Sequence, residues 1–565
     1  MFLGEVLKNI NKKYRKIKFD NIKFNSRDCK PNDIFFAIKG NNLDGKKYID
    51  DAIKNGAKIV VSDLKLQGFN KKKILFIHNK NPRKILSDAS SRFYNLKPNN
   101  IIAVTGTNGK TSVTNFYQQI LDLNNKKVAS IGTLGVLSKK YCLKTKNTTI
   151  DSLNIHKILQ TLKKLKINNV ILEASSHGLA QHRLNNIKFK TALFTNLSRD
   201  HLDYHKNMKN YLNSKLILFT KLLIPKGNII FDEKIKQSKQ LKFISNKRNL
   251  KKHTFGSSRS FIKITNIQKV NNQNKIDFII KKKRYSFKTS LIGKIQIKNL
   301  MFAIVAAYLS KLKISKILNS IHKVKPIKGR FEKIGNLKNN SIVILDYAHT
   351  PIALETAILN IKEEFPLSKI SLVFGCGGNR DKDKRTIMGA IANKFCEKIY
   401  ITDDNPRNED PKLIRSHIKK GLKQKNVFEI PSRSKAISLA VENLNSGDIL
   451  IVAGKGHENF QESKKKKFFS DKLEILKVIT LKNKNLSKSI KTNILNETLK
   501  SKVIKKKNFV SSISINSKNI KSNSIFIGIK GKKYDGNKFA EEAINNGAIL
   551  AITNKKKYRN SKIIF

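Results

Sequence analysis

The stretch IIAVTGTNGKTS, residues 101–112, decides how this chain is read. An apolar run enters a turn with two glycines, then Lys110 and Thr111, then a segment, 113–123, with helical periodicity. Strand, Gly-rich turn and helix together form a phosphate cradle, because the N–H groups of the turn and of the helix start point at the anion. Lys110 would reach the outer phosphates, and the Thr111 hydroxyl would meet Mg²⁺. The match to GxxxxGK[ST] lacks its first glycine, since Val104 stands there. A chance Gly-Lys-Thr is common in a lysine-rich chain, but the flanking strand and helix favour phosphate binding.

Downstream, VILEASSHGLAQHR (170–183) brings a strand to Glu173, then hydroxyl residues, then His177 and Arg183. A carboxylate at a strand end beside a phosphate loop is a natural Mg²⁺ partner, and equally an ordinary strand-end residue. FTNLSRDHLDYH (194–205) closes another strand with an Asp-His-Asp-His cluster, read as solvated loop polarity or as a zinc site without cysteine support. Four more clusters follow strands: ILDYAHTP (344–351), VFGCGGNRDKDKR (373–385), TDDNPRNEDP (402–411) and VAGKGHE (452–458). Loops at the carboxyl ends of parallel strands are where open α/β sheets bind ligands, so four such loops point to a shared cleft.

The pattern of strand, turn and helix implies an α/β fold with mainly parallel sheets. The segment 90–100 (SSRFYNLKPNN) reads as a linker, 324–329 (VKPIKG) as a break, and 481–495 as a polar connection. One module occurs twice: residues 25–63 align without a gap to 516–554, with roughly half the positions identical. Each copy shows a strand (34–38; 525–529), a DG turn, a helix ending at a glycine (Gly56; Gly547) and a second strand (59–61; 549–552). The second copy runs to Phe565, soon after its last recognisable strand, and three readings of it stay open: a gene-fusion remnant, a truncated two-enzyme polypeptide or an extra docking domain. The expected domains are 1–97, 98–327, 328–484 and 485–565.

The chain of 565 residues is 39% hydrophobic, enough for real cores and too much for a mainly disordered protein. Its 115 Lys+Arg against 40 Asp+Glu give a net charge of +75, which by itself would suggest nucleic acid or an anionic membrane surface. Lysine crowds every region, as at Lys71 to Lys73 and Lys464 to Lys467, so the charge reads as a solvated, chain-wide bias that can steer anionic substrates. Four scattered cysteines (Cys29, Cys142, Cys376, Cys396) fit a reducing compartment. The start shows no signal-peptide pattern, and no apolar run reaches the ~20 residues of a spanning helix. A soluble, cytoplasmic protein without membrane insertion is expected.

In order, TGTNGKT, EASSHGL, NLSRDHLDYH, GR, DYAHTP, FGCGGNRDKDKR, DNPR and GKGHE resemble the motifs of the Mur ligases, the ATP-dependent amino-acid ligases of peptidoglycan assembly. The resemblance covers about residues 20–480. It implies a UDP-sugar-binding module, a central P-loop ATPase and a C-terminal Rossmann-like domain, with the terminal module similar to the first domain of the ligase that acts next. It implies transfer of the ATP γ-phosphate to a substrate carboxylate and attack of an amine on the acyl phosphate. It places Thr107, Asn108, Gly109, Lys110, Thr111, Ser112, Gln296, Arg330 and Asp346 on ATP. It assigns two Mg²⁺ ions to Thr111, Glu173, His201 and Lys215, the last as a carbamate made with CO₂, and makes Lys110, Glu173, His201 and Lys215 catalytic. Ser26, Thr148, Thr149, Ser175, Gln181 and Arg183 would hold UDP-MurNAc-L-Ala-D-Glu. Two positions depart from the pattern: Gln296 where Asn is usual, and Ile352 where Asp follows DYAHTP.

Asp404-Asn405-Pro406-Arg407 resembles the family's signature for meso-2,6-diaminopimelate, with Arg380, Gly454 and Glu458 as further contacts. A guanidinium can grip the distal carboxylate that distinguishes this amino acid from lysine. No nucleic-acid partner is implied, and other cytoplasmic Mur enzymes are allowed as partners. Three alternatives stay open: a truncated fusion of two ligases, a folylpolyglutamate-synthetase-like ligase, and a basic nucleic-acid-binding ATPase that a steep salt dependence on random DNA would reveal.

Overall fold

The computed structural model describes residues 1–40, 43–145, 147–256, 260–270, 273–423, 425–463, 465–486, 490–491, 509–520, 522–531, 534–554 and 563–564. By packing, the chain divides into two units. The first is Met1–Ser198, Tyr204–Leu291 and Gln296–Lys325; the second is Arg199–Asp203, Ile292–Ile295 and Pro326–Phe565.

The first unit holds two sheets. In the five-stranded one, Ile22–Lys23, Ile34–Phe36, Ile59–Ser62 and Leu75–His78 run parallel, and Gly68–Phe69 closes the edge antiparallel. The ten-stranded sheet has Asn100–Thr105 at its centre, between Phe189–Phe194 and Asn169–Glu173, both parallel to it. These strands are nearly continuous apolar runs because helices cover both faces; Asn100–Thr105 and Asn169–Glu173 are buried after their first residues, and Phe189–Phe194 is buried except at Lys190. Ile101, Ala103, Val170, Leu172, Ala192 and Phe194 form part of one core cluster. Beyond Lys251–Phe255 the sheet continues as an antiparallel meander, Ile262–Val270, Gln273–Ile280 and Lys283–Thr289, with alternating burial along the middle strand.

The second unit contains a six-stranded sheet in the order Glu332–Ile334, Ile342–Asp346, Ile449–Ala453, Ile370–Phe374, Lys398–Ile401, Val427–Glu429. All pairings are parallel except the first. Strand Ile449–Ala453, last in sequence, inserts between two earlier strands, so the loops after Asp346, Phe374, Ile401 and Ala453 lie side by side at one sheet edge. This is the strand-end cluster expected from the sequence.

The repeat is real in three dimensions. Strands Ser512–Ser514, Ser524–Ile527, Ala548–Ile552 and Ile563–Ile564 are parallel, like their counterparts near the start. Asn55 Nδ2 donates to Ser26 O and Asn546 Nδ2 to Ser517 O, both at 3.0 Å. Asn32 and Asn523 share a φ of 63°.

Four sequence expectations change. The cradle helix is Lys110–Leu123, three residues earlier than its apolar periodicity shows, because polar Lys110, Thr111 and Ser112 form its first turn. The supposed linker 90–100 contains the last turn of helix Pro82–Phe93, whose serines Ser87 and Ser90 are buried, and Asn100 already begins a strand. The DG pairs do not reverse the chain; Asp44 and Asp535 cap 3₁₀ turns by accepting from Lys46 N and Asn537 N. The strands expected over 34–38 and 525–529 end at Phe36 and Ile527. Of the connection 481–495, residues 487–489 and 492–495 lie outside the described residues, as do Lys464 of the charge run and positions 41–42, 521 and 532–533 of the repeat.

Candidate active site

Within the first unit, the loop before helix Lys110–Leu123 is fastened by the strand end beside it. Asn108 N donates to Asn196 Oδ1 (2.9 Å), Thr195 Oγ1 to Asn108 O (2.6 Å), and Ser198 N to Thr107 Oγ1 (2.9 Å). Gly109 caps the helix at φ 87°, and a Cβ there would stand 2.6 Å from Asn299 Oδ1, so both backbone and space demand glycine. Lys110 Nζ donates to Gly106 O (2.8 Å) and Thr107 O (2.7 Å). Lys215, 1% exposed, also donates to Gly106 O (2.7 Å) and sits 4.4 Å from the Tyr211 ring centre. Two residues about a hundred positions apart in sequence thus meet at one carbonyl.

Glu173 is buried at the adjacent strand end. Its Oε2 accepts from Thr111 Oγ1 and Thr133 Oγ1, each at 3.1 Å, and its Oε1 from Thr133 N at 2.8 Å. Hydroxyl and carboxylate side by side at a phosphate loop suit a hard cation that also takes phosphate oxygens. Among the described residues no group of three or more His, Cys, Asp or Glu is arranged to hold a metal, so the zinc reading of residues 200–205 finds no support. His201 belongs to the second unit, where its backbone N donates to Asp200 Oδ1 (2.9 Å).

Next to Glu173 lies a connected polar group. Thr149 Oγ1 donates to Glu173 O (2.8 Å), and Ser175 N donates back to Thr149 Oγ1 (2.9 Å). Arg183 donates to Thr149 O (2.6 Å) and through NH2 to Gln181 Oε1 (2.7 Å), while Gln181 Nε2 donates to Tyr204 OH (3.2 Å). Thr148 and Thr133 hydroxyls are 3.1 Å apart. Five of the six residues expected for the UDP-linked substrate are therefore contiguous: Thr148, Thr149, Ser175, Gln181 and Arg183. Ser26 stands in the N-terminal sheet module, opening a 3₁₀ turn. Burial and then Arg83 lower the Arg183 pKa, and burial lowers that of Arg83. Arg83 and Thr133 carried no motif signal and were missed. Gln296, 6% exposed, sits in the first turn of helix Lys294–Leu309.

The second unit gathers the four strand-end loops. Asp346 accepts from Phe331 N (2.7 Å) and Ala348 N (2.8 Å); burial raises its pKa, while Arg330 and those N–H groups pull it back. The Arg330 guanidinium stacks 4.1 Å from the Tyr347 ring centre. Ile352 is half exposed near the start of helix Pro351–Glu364, so the departure from Asp costs no buried contact.

Asp404 and Asn405 are buried in the loop after Lys398–Ile401. Asn405 Nδ2 donates to Glu458 Oε2 (2.9 Å), and its Oδ1 accepts from Lys455 Nζ (3.0 Å) and Glu462 N (2.8 Å). Burial raises the Asp404 pKa, and Arg433 and Lys455 oppose it. Gly454 has φ 110°, and a Cβ on it would stand 2.6 Å from Asp404 Oδ2. Pro406 O accepts from Glu409 N (3.0 Å). Arg407 takes φ 54°, donates through NH1 to Gly378 O (2.7 Å), and pairs through Nε with Glu462 Oε2 (3.2 Å). Arg380 lies in the neighbouring loop, 3.8 Å from Asp203 Oδ2. Glu462, Lys455 and the fully buried pair Arg433–Asp471 were missed; only Lys455 lay in a quoted motif.

Arg433 meets Asp471 with two 2.7 Å bonds, both side chains being 0% exposed. Burial works against its charge, but Asp471 holds its pKa above the usual arginine value. Asp471→Ala should strip that guanidinium of its bidentate partner and destabilise the second unit by about 3–5 kcal/mol. A urea unfolding midpoint unchanged from wild type would contradict this.

Comparison with known proteins gives these arrangements a context. Three family models match: "Mur ligase middle domain" over residues 104–307, "Mur ligase, glutamate ligase domain" over 329–456, and "Mur ligase family, catalytic domain" over 18–94 and again over 509–564. A UDP-N-acetylmuramoyl-L-alanyl-D-glutamate–2,6-diaminopimelate ligase from Rickettsia montanensis is 42% identical over 478 residues, covering 83% of this chain and 97% of its own. A solved structure of a ligase with that same name is 28% identical, with a TM-score of 0.62, over 85% of this chain and 99% of its own. A MurF ligase from Thermotoga maritima in complex with ADP shares the fold at 15% identity, with a TM-score of 0.58, over 82% of this chain and 98% of its own. The double match at 18–94 and 509–564 accounts for the repeat, and nothing in these likenesses supports a fusion with a second ligase. Phosphate loop, strand-end cluster and matched sequence agree, and the chain belongs to the Mur ligase family.

Proposed function

We propose that this ATP-dependent ligase joins 2,6-diaminopimelate, as its meso isomer, to the D-Glu carboxyl of UDP-N-acetylmuramoyl-L-alanyl-D-glutamate in the cytoplasm. The observation that carries the reading is the Asp404-Asn405-Pro406-Arg407 loop, with Asn405 bonded to Glu458 and Arg407 in the same loop. A carboxylate is a poor electrophile until one oxygen becomes a good leaving group. The substrate carboxylate oxygen attacks the γ-phosphorus of ATP, and ADP leaves. The amine nitrogen then attacks the acyl carbon, the C–O bond to phosphate breaks, and the amine gives up a proton.

In the first step Lys110 and the N–H groups of the first turn of helix Lys110–Leu123 orient the phosphates, and Lys110 supplies positive charge. Thr111 and Glu173 would hold Mg²⁺, which supplies further charge stabilisation when bound; His201 keeps its ligand role, and a second ion its place, on the family resemblance alone. Arg183, Gln181, Ser175, Thr149 and Thr148 would hold the acceptor, with Ser26 on its uridine end. In the second step Asp404 and Glu458 offer acceptors to the ammonium of the amino acid, Asn405 offers its remaining amide N–H to a carboxylate oxygen, and Arg407 offers its guanidinium to the distal carboxylate. The proposed division is 1–97, 98–327, 328–484 and 485–565, supported by principal sheets of five, ten, six and four strands that fall one in each segment.

The test is phosphate release with ATP, Mg²⁺ and both substrates. The expected result is release that requires the UDP-linked dipeptide and 2,6-diaminopimelate together. Absence of release with all components present would overturn the reading.

A further inference from the structure

We propose that Lys455 is a positioning residue for the incoming amino acid, acting through Asn405 and Glu458; this rests on the diaminopimelate reading above. Lys455 is 0% exposed, on the loop that follows strand Ile449–Ala453. A lysine ammonium is rarely taken wholly out of water unless its charge is used. Its Nζ donates to Asn405 Oδ1 (3.0 Å) and to Glu458 Oε2 (3.3 Å), and lies 5.4 Å from the Phe460 ring centre.

The consequence is an oriented amide. At one end of Asn405 stand two donors, the Lys455 ammonium and Glu462 N at 2.8 Å. The other amide orientation would turn the NH₂ group against both, so Oδ1 faces them and Nδ2 is delivered to Glu458 Oε2 at 2.9 Å. Glu458 Oε2 therefore receives two donors, and its Oε1 stands 3.4 Å from Tyr347 OH. Both groups expected to meet substrate are thus held by one buried cation. Arg433 stands behind Asp404 at 4.0 Å and is itself bound to Asp471. A lysine that served only the core would have no reason to bond both substrate-facing side chains and would affect all substrates alike.

Lys455→Met removes the charge and donor with little change in volume. The expected result is a rise of about tenfold or more in KM for 2,6-diaminopimelate, with kcat within about threefold and KM for ATP and the UDP-linked dipeptide within about twofold. Because Lys455 acts through Asn405 and Glu458, the loss in the Lys455→Met/Glu458→Gln double variant should be smaller than the product of the two single losses. If Lys455→Met does not fold, Lys455→Gln, which keeps a donor, should show the same selective rise at smaller size. An unchanged KM for 2,6-diaminopimelate in the variant, equal rises for all three substrates, or losses that multiply in the double variant would overturn the proposal. Failure of the wild type to use 2,6-diaminopimelate would overturn the functional reading as well. Normal wild-type turnover with an unaffected variant overturns this proposal alone.

Discussion

Lys110→Ala is expected to lower ATP-dependent phosphate release by at least about a thousandfold while leaving the thermal transition close to wild type. The ammonium sits in the first turn of the cradle helix and donates to the carbonyls of Gly106 and Thr107 at 2.8 and 2.7 Å. Its bonds are to loop carbonyls rather than to core, so removal costs the fold little. What it removes is a positive charge aimed at the place where negative charge develops as the phosphate transfers. Lys215→Ala should be as damaging for a different reason. Lys215 Nζ donates to the same Gly106 O at 2.7 Å, so two amines converge on one acceptor. Two amines sharing one acceptor would repel if both carried charge. Conversion of Lys215 to a carbamate would make the pair attractive and place an anion at the phosphate loop. A short carboxylic acid should therefore restore part of the activity of Lys215→Ala and none of that of Lys110→Ala. Measured kcat for either variant within tenfold of wild type would contradict these roles.

Arg407→Ala should cut kcat/KM for meso-diaminopimelate by about thirtyfold to several thousandfold, the effect of losing a charge-assisted contact worth about 2–5 kcal/mol. KM for ATP should hardly change. Lysine should be a poor substrate for the wild type, because its terminal ammonium would meet the guanidinium. The variant should discriminate less between the two amino acids, having lost both attraction and repulsion. Arg407 also pairs with Glu462, whose side chain is 38% exposed, so Glu462→Gln is the control that separates loss of grip from loss of that pair. An unchanged ratio of kcat/KM for the two amino acids would move specificity to Arg380 or Glu458.

Much of this site was legible because its residues lie in short loops at strand ends. A strand that enters a Gly-rich turn announces itself through local constraints: apolar runs where both faces are covered, and glycine where φ is positive, as at Gly109 and Gly454. Lys215 carries no such mark. It is one of 115 basic residues, and only family spacing singled it out. Thr133 and Arg83 were invisible because neither lies in a motif: a lone threonine after a strand and an arginine near a helix start carry no pattern of their own.

The amino-acid sequence alone determined the α/β class, the order of the phosphate loop and strand-end loops, and the repeated module, because periodicity, turn glycines and self-similarity are local properties of the chain. The tertiary structure alone decided which of these residues meet. The strand Ile449–Ala453 inserts between Ile342–Asp346 and Ile370–Phe374, bringing Lys455 and Glu458 to Asn405, about fifty residues away in sequence. Thr111 reaches Glu173 because strands Asn100–Thr105 and Asn169–Glu173 pair in register. Strand order and register depend on packing over the whole sheet, and no short stretch of sequence encodes them.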